Sequence, residues 1–208
     1  ANKSLNDFLN NEINKMILYK SDTSTYASVT ELIQSYFNDN KDMKQQGDYD
    51  DESSAWEIEK TVTVLNKTNK FITIAFTDYG YTGGAHPYGS TIYKNYDVVA
   101  KKQLKIDEVL NVNDTALLRL GEHYFRRNNE INDTMKLSDV SFFIFGEGED
   151  FEDGPNYGKF HFNDNFAFTK DGIEFQYNSY EMSPYAAGAP SFTIPYEKII
   201  PFLKLTIW

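Results

Sequence analysis

The clearest structural signal in the chain lies at residues 165–177, which read Asn165-Phe166-Ala167-Phe168-Thr169-Lys170-Asp171-Gly172-Ile173-Glu174-Phe175-Gln176-Tyr177. Apolar and polar side chains alternate on both sides of Lys170-Asp171-Gly172. Alternation with a period of two is typical of a strand that has one covered face, and Asp-Gly favours a tight turn. The stretch therefore predicts an antiparallel hairpin.

The pattern continues towards the C-terminus. Ser191-Phe192-Thr193-Ile194 predicts a last strand, and Pro195 stands where a helix tolerates proline, which predicts a short helix over residues 196–203. Phe160-His161-Phe162 alternates in the same manner before the hairpin, and His161 is expected to point away from its two neighbours.

A helix is predicted on the N-terminal side of the hairpin. Asn113 or Asp114 can cap it, and the pair Arg126-Arg127 suits its C-terminal end. Its apolar positions recur at helical spacing: Leu117, Leu118, Leu120, Tyr124 and Phe125.

The first part of the chain combines helices with strands. Helical periodicity predicts an amphipathic helix within residues 1–23 and a second from Thr25 to about Lys44. Period-two patterns then predict strands from Trp56, at residues 71–76 and at residues 90–97, with a loop over residues 79–89. In the first strand, Trp56, Ile58, Val62 and Val64 are expected to share the covered face.

These elements predict an α+β fold of antiparallel sheets with helices packed on them, in two abutting halves. Residues 1–110 would form N-terminal helices and an antiparallel meander. Residues 111–208 would form a helix, the hairpin and a C-terminal helix.

The composition excludes several functional classes. The chain of 208 residues carries a formal net charge of -11 with a pI near 4.7, opposite to what phosphate neutralisation requires, so nucleic acid is not an expected partner. It has no cysteine, which removes thiol catalysis and thiolate zinc sites. No cofactor or metal is expected, and no apolar run is long enough to insert into a membrane.

One candidate binding segment is the loop Tyr81-Thr82-Gly83-Gly84-Ala85-His86-Pro87-Tyr88. Paired glycines permit positive φ, and Pro87 biases His86 towards an extended backbone, so the loop could present an imidazole and backbone N–H groups at a fixed angle. Tyr81 and Tyr88 could add an aromatic surface. The alternative is a tight connection whose histidine and tyrosines serve packing.

Other candidates are weaker. Tyr185 belongs to an aromatic loop with the small residues 186–189, which favours packing over a ligand slot. The acidic run 147–154 lacks calcium-loop spacing. His86, His123 and His161 are far apart in sequence, and no nucleophile elbow occurs, so no catalytic residue is predicted.

Two stretches resemble a known family: Tyr81 to Tyr88, and Phe168 to Phe175 running on to Tyr185-Ala186-Ala187-Gly188-Ala189-Pro190 and Thr193-Ile194-Pro195-Tyr196. Over residues 25–205 they resemble a bacterial family that pairs the domains DUF4163 and DUF3298. Its relatives include the outer domain of lysozyme-sensing anti-sigma factors and the accessory region of peptidoglycan deacetylases. The resemblance assigns DUF4163 to residues 1–110 and DUF3298 to residues 111–208.

The resemblance implies a location outside the cytoplasm, in the periplasm or at the cell envelope, where an upstream lipid anchor is one means of attachment. It implies a non-catalytic accessory or sensing role, without implying lysozyme binding. We therefore expect a module that binds or senses a protein, with a basic lysozyme-like protein as one candidate, or a cell-wall component. The candidate binding residues are Tyr81, Gly83, Gly84, His86, Tyr88 and Tyr185. Two alternatives stay open: a cell-wall hydrolase that uses carboxylates with His86, and a structural domain of a larger envelope protein.

Overall fold

A computed structural model describes residues 3–17, 19–20, 24–45, 56–144 and 156–206. Its helices and antiparallel sheets confirm the predicted α+β class. The α-helices are α1 (Lys3–Ile17), α2 (Val29–Gln45), α3 (Ile106–Val109), α4 (Thr115–Asn128) and α5 (Tyr196–Ile199). Single 3-10 turns lie at Ser138–Val140, Tyr185–Ala187 and Ile200–Phe202.

The strands form sheets of two, four and three strands, in the orders β1-β2, β3-β4-β5-β6 and β7-β8-β9. Their bounds are β1 Tyr19–Lys20, β2 Ser24–Thr25, β3 Glu57–Lys67, β4 Phe71–Tyr81, β5 Tyr88–Asp97, β6 Lys102–Leu104, β7 Phe166–Phe168, β8 Gly172–Gln176 and β9 Ser191–Pro195. Every sheet follows chain order, so the sheets of four and three strands are antiparallel meanders and β1-β2 is a single antiparallel pair.

The chain divides into two compact units. The first unit comprises residues 1–62 and 76–90, and the second comprises residues 63–75 and 91–208. This division differs from the predicted boundary at residue 110. The assignment of residues 1–110 and 111–208 to two domains stays a prediction.

The predicted hairpin is confirmed in the second unit. Phe166 pairs with Phe175 and Phe168 with Ile173, while β9 adds to the other edge of β8. Thr169 closes the turn because its backbone N–H donates to the carbonyl of Gly172 at 2.9 Å. The short helix after Pro195 is also present, although it ends at Ile199 and continues as a 3-10 turn.

The predicted helix α4 is confirmed together with its cap. The Asp114 carboxylate accepts hydrogen bonds from the N–H groups of Ala116 and Leu117 at 2.9 and 3.0 Å. Such bonds satisfy N–H groups that a helix end leaves open. Arg126 and Arg127 lie in the last turn, as predicted.

A mainly aromatic core fills the second unit. Phe125 of α4 is completely buried, and the other large side chains with less than 2 % exposure include Phe143, Phe166, Phe168, Phe175, Tyr177 and Phe192. Gly121 lets α4 approach closely, since a Cβ there would overlap the rings of Phe160 and Phe162. Phe160-His161-Phe162 is not a strand, yet both phenylalanines are buried and His161 is half-buried.

Asparagine side chains extend the hydrogen bonding of β5 within the second unit. The amide of Asn178 both accepts from the N–H of Thr91 and donates to its carbonyl, at 2.8 and 3.2 Å. The amide of Asn165 accepts from the N–H of Tyr93 and donates to the carbonyl of Thr91, both at 2.7 Å. These amides take the place of a neighbouring strand, so this edge of β5 is satisfied.

Four element boundaries differ from the predictions. The first helix ends at Ile17, and Tyr19–Lys20 then pairs with Ser24–Thr25. The second helix begins at Val29 instead of Thr25, because Thr25 belongs to β2. β4 and β5 run further than expected, which shortens the predicted loop to residues 82–87.

The predicted covered face of β3 is only partly covered. Ile58 is half-buried, whereas Val62 and Val64 are 39 % and 59 % exposed. Alternation of side chains distinguishes the two faces of a strand, but it does not say how far along the strand a neighbour covers one of them.

Candidate functional site

An open apolar groove lies between helix α2 and the start of strand β3 in the first unit and is here called the α2 groove. Its volume is about 520 Å³. It is lined by Val29, Leu32, Ile33, Tyr36, Phe37, Asn40, Lys44, Trp56, Ile58 and Lys60. This volume falls within the about 300–1,000 Å³ typical of small-molecule sites.

The helix places seven residues on the groove because their positions, 29, 32, 33, 36, 37, 40 and 44, follow the three- and four-residue spacing of one helical face. The helix begins where it does because Ser28 and Glu31 cap it. The Ser28 hydroxyl accepts from the N–H of Glu31 at 3.2 Å, and the Glu31 carboxylate accepts from the N–H of Ala27 at 3.1 Å. This arrangement resembles a capping box.

One edge of this helical face is left open to solvent. Val29, Ile33 and Phe37, spaced four residues apart, are 47 %, 50 % and 67 % exposed, whereas Leu32 is only 5 % exposed. A contiguous exposed apolar stripe beside a groove is typical of a recognition surface.

An ion pair connects the groove lining to strand β4. Lys60 pairs with Asp78 of β4 at 2.5 Å, and the Lys60 side chain is only 10 % exposed. The other carboxylate oxygen of Asp78, Oδ1, is buried and has no hydrogen-bond partner among the described residues. Because this ion pair is mostly shielded from water, removing either partner would leave an uncompensated charge.

Tyr36 and Tyr88 connect the groove to the β4–β5 hairpin. Tyr36 shares a hydrogen bond with Tyr88, and its ring meets Trp56 edge-on with centroids 6.5 Å apart. The pKa of Tyr36 is held well above its ordinary value. Burial of the phenol is the largest cause, and the hydrogen bond to Tyr88 is the second. The phenol of Tyr88 occupies the space that a Cβ at Gly80 would take, so glycine at position 80 allows the contact.

The residues of the predicted binding loop differ in burial and in their contacts. Tyr88 is half-buried and bonds to Tyr36 of the groove lining. Tyr81 is also half-buried and donates its hydroxyl hydrogen to the carbonyl of Gly84 at 3.2 Å. Gly83 and Gly84 have φ of 80° and 117°, which the paired glycines were predicted to permit. His86 is exposed, and its Nδ1 lies 3.0 Å from the carbonyl oxygen of Pro87.

Tyr185 lies in the second unit, in a 3-10 turn that follows Pro184. It is half-buried, and its ring centroid lies 6.0 Å from that of Tyr180, which is 57 % exposed. Tyr180 has a φ of 66°, an uncommon backbone conformation for a residue with a side chain.

The remaining candidates do not form a metal centre among the described residues, where no group of three or more His, Cys, Asp or Glu could hold an ion. His123 is exposed on α4, and His161 Nδ1 lies 3.1 Å from the carbonyl oxygen of Lys159. The acidic run 147–154 lies outside the described residues. In the described part of the chain, no helix has both the length and the apolar character needed to cross a bilayer.

Comparison with known proteins identifies two segments. Residues 99–197 match the family described as "Protein of unknown function (DUF3298)", and residues 1–88 match the family described as "Deacetylase PdaC". No curated protein matches the chain. The α2 groove lies entirely within the segment that matches PdaC.

Two solved structures share the fold. A DUF3298 family member from Bacteroides fragilis is 23 % identical with a TM-score of 0.68, covering 97 % of this chain and 79 % of its own. A DUF3298 family protein from Pseudomonas aeruginosa is 18 % identical with a TM-score of 0.63, covering 94 % of this chain and 78 % of its own. The DUF3298 part of the predicted resemblance is thus confirmed, whereas the comparisons show neither DUF4163 nor an anti-sigma factor.

Proposed function

We propose that the chain is a non-catalytic accessory module that binds or senses a protein or a cell-wall component outside the cytoplasm, and that the α2 groove is its recognition surface. The observation that carries this proposal is the exposed stripe Val29, Ile33 and Phe37 beside an open groove. Leaving three large apolar side chains in water is unfavourable unless a partner covers them.

The chemistry of the groove favours binding over hydrolysis. Among the described residues, its lining includes no Asp, Glu, His, Ser or Cys, the residue types that most often act as nucleophile or general acid and base. His86, which the hydrolase alternative requires, is exposed in the hairpin loop and is not part of this lining. Residues 1–88 match a family named for a deacetylase, and we assign this segment an accessory part and not the catalytic one.

Truncation of the exposed stripe is expected to weaken binding. The variant Phe37→Ala should reduce capture of purified peptidoglycan or of a bacterial envelope extract by about ten-fold. This is the effect expected when one aromatic side chain that the partner buries is removed. The measurement is the amount retained by the immobilised chain over a concentration series.

Val99→Ala is the matched control, because Val99 is an apolar side chain with 74 % exposure in the second unit. It should capture as much as the unchanged chain. Equal capture by all three proteins, or an equal loss in both variants, would refute the assignment of the recognition surface to the α2 groove.

A basic partner would also be attracted electrostatically by the chain's net charge of -11. With hen lysozyme as a cationic probe, we expect association to weaken at least about ten-fold when salt rises from about 0.05 M to about 0.5 M, since screening shortens the range of charge attraction. Titration calorimetry at several salt concentrations measures this. If the affinity for lysozyme does not depend on salt, electrostatic attraction does not contribute to binding of a basic partner.

A further inference from the structure

The length of the α2 groove limits the shape of its occupant. The helical residues that line it extend from Val29 to Lys44. At about 1.5 Å per residue, they span about 22 Å. A groove of this length and only about 520 Å³ is narrow, so it suits an elongated ligand.

The polarity of the groove changes along this length. Val29, Leu32, Ile33, Tyr36 and Phe37 provide an aliphatic and aromatic wall over the first turns of α2. Asn40 and Lys44 follow on the same face over the last turns. A ligand matched to this surface is apolar along most of its length and polar at one end.

The charged residues of the groove determine which charge is favoured on the polar end of the ligand. Although the chain has 31 acidic and 20 basic residues, the lining residues that the structure describes include two lysines and no carboxylate. Asp78 neutralises Lys60, whereas the described residues provide no ion-pair partner for the exposed Lys44. Lys44 is therefore positioned to meet a negative charge.

We propose that the α2 groove binds a single-chain anionic amphiphile, with its apolar chain along Val29 to Phe37 and its acidic head at Lys44. This inference rests on the proposed function, because it names the ligand chemistry of the same recognition surface. Burial of the chain against the exposed stripe would supply most of the affinity, and Lys44 would select for the charged head.

Trp56 provides a direct reporter because it lines the groove and the only other tryptophan is Trp208. In a Trp208→Phe background, Trp56 fluorescence is titrated with laurate kept below its micelle concentration, and with uncharged dodecanol. We expect a saturable change with laurate. Lys44→Gln should weaken laurate binding about five-fold, as an exposed ion pair does, and leave dodecanol binding unchanged.

Lys41→Gln is the matched control, since Lys41 is an exposed lysine of α2 that does not line the groove. It should bind laurate as the unchanged chain does. Phe37→Ala should weaken laurate and dodecanol alike. No response of Trp56 to laurate, or equal losses in Lys44→Gln and Lys41→Gln, would overturn the inference.

The source of the amphiphile and the proposed function are tested separately. Vesicles of phosphatidylglycerol and phosphatidylcholine should leave Trp56 unchanged, and a response to vesicles without one to laurate would overturn the single-chain ligand. If Phe37→Ala abolishes envelope capture while laurate does not bind, only this inference fails. If laurate binds but envelope capture is unaffected by Phe37→Ala, the proposed function fails.

Discussion

Replacing Phe125 by Ala is expected to lower the free energy of unfolding by about 3–5 kcal/mol, the usual cost of removing a buried phenylalanine. Phe125 is completely buried on α4. Five aromatic ring centroids lie between 5.2 and 6.1 Å from its own, those of Phe142, Phe143, Phe160, Tyr177 and Phe192. Their mutual packing prevents these rings from closing the cavity, so most of the lost contact energy cannot be recovered.

Urea unfolding followed by circular dichroism measures this change. Phe37→Ala is a matched control, because it makes the same substitution at a position that is 67 % exposed. It should cost less than about 1 kcal/mol. A similar cost for both variants, or a cost below about 1 kcal/mol for Phe125→Ala, would contradict the central position assigned to Phe125.

The elements that local chemistry specifies were predictable from sequence. Asp114 caps α4 with hydrogen bonds to residues two and three positions later, so a short stretch of sequence contains the whole signal. The hairpin around Lys170-Asp171-Gly172 is equally local. By contrast, the start of α2 was placed too early, although Ser28 and Glu31 carry a legible capping signature that would have placed it correctly.

The α2 groove was not predicted, and the reason is physical. Helical spacing did predict an amphipathic second helix, and the structure places Val29, Leu32, Ile33, Tyr36 and Phe37 on its groove face. Periodicity identifies the apolar face of a helix but not which part of that face a neighbour covers. The stripe that stays open depends on the placement of β3, which is a tertiary property.

The role of Tyr88 also depended on tertiary contacts. The sequence left open whether Tyr88 adds an aromatic surface or serves packing, and in the structure it packs at Gly80 and bonds to Tyr36. Removing the Tyr88 ring would therefore disturb Tyr36 in the groove lining, and Phe37 is the better residue for a binding test.

The second large effect concerns a buried asparagine. Asn95 of β5 is 1 % exposed, and its amide nitrogen donates to the carbonyl of Phe166 at 2.7 Å. Its amide oxygen accepts from the hydroxyl of Thr73 on β4 at 2.8 Å and from the N–H of Phe168 at 3.4 Å. One side chain thus connects three strands inside the second unit.

Replacing Asn95 by Leu, which has similar size, is expected to lower the free energy of unfolding by about 2–4 kcal/mol. The new side chain would leave the Phe166 carbonyl, the Phe168 N–H and the Thr73 hydroxyl buried without their partner, and each such group carries a desolvation cost. The gain in apolar burial offsets only part of this loss, because Leu satisfies none of the three groups.

A double-mutant cycle with Thr73→Val tests this explanation directly. Thr73 is completely buried, and Val removes its hydroxyl at nearly constant shape. Once Asn95 is Leu, the Thr73→Val change should restore about 1 kcal/mol in urea unfolding, because one of the unsatisfied groups is gone. In the presence of Asn95 the same change should destabilise, since it leaves the amide oxygen of Asn95 with only its longer bond to Phe168. Additive effects of the two substitutions would mean that Asn95 acts through its volume and not through its hydrogen bonds.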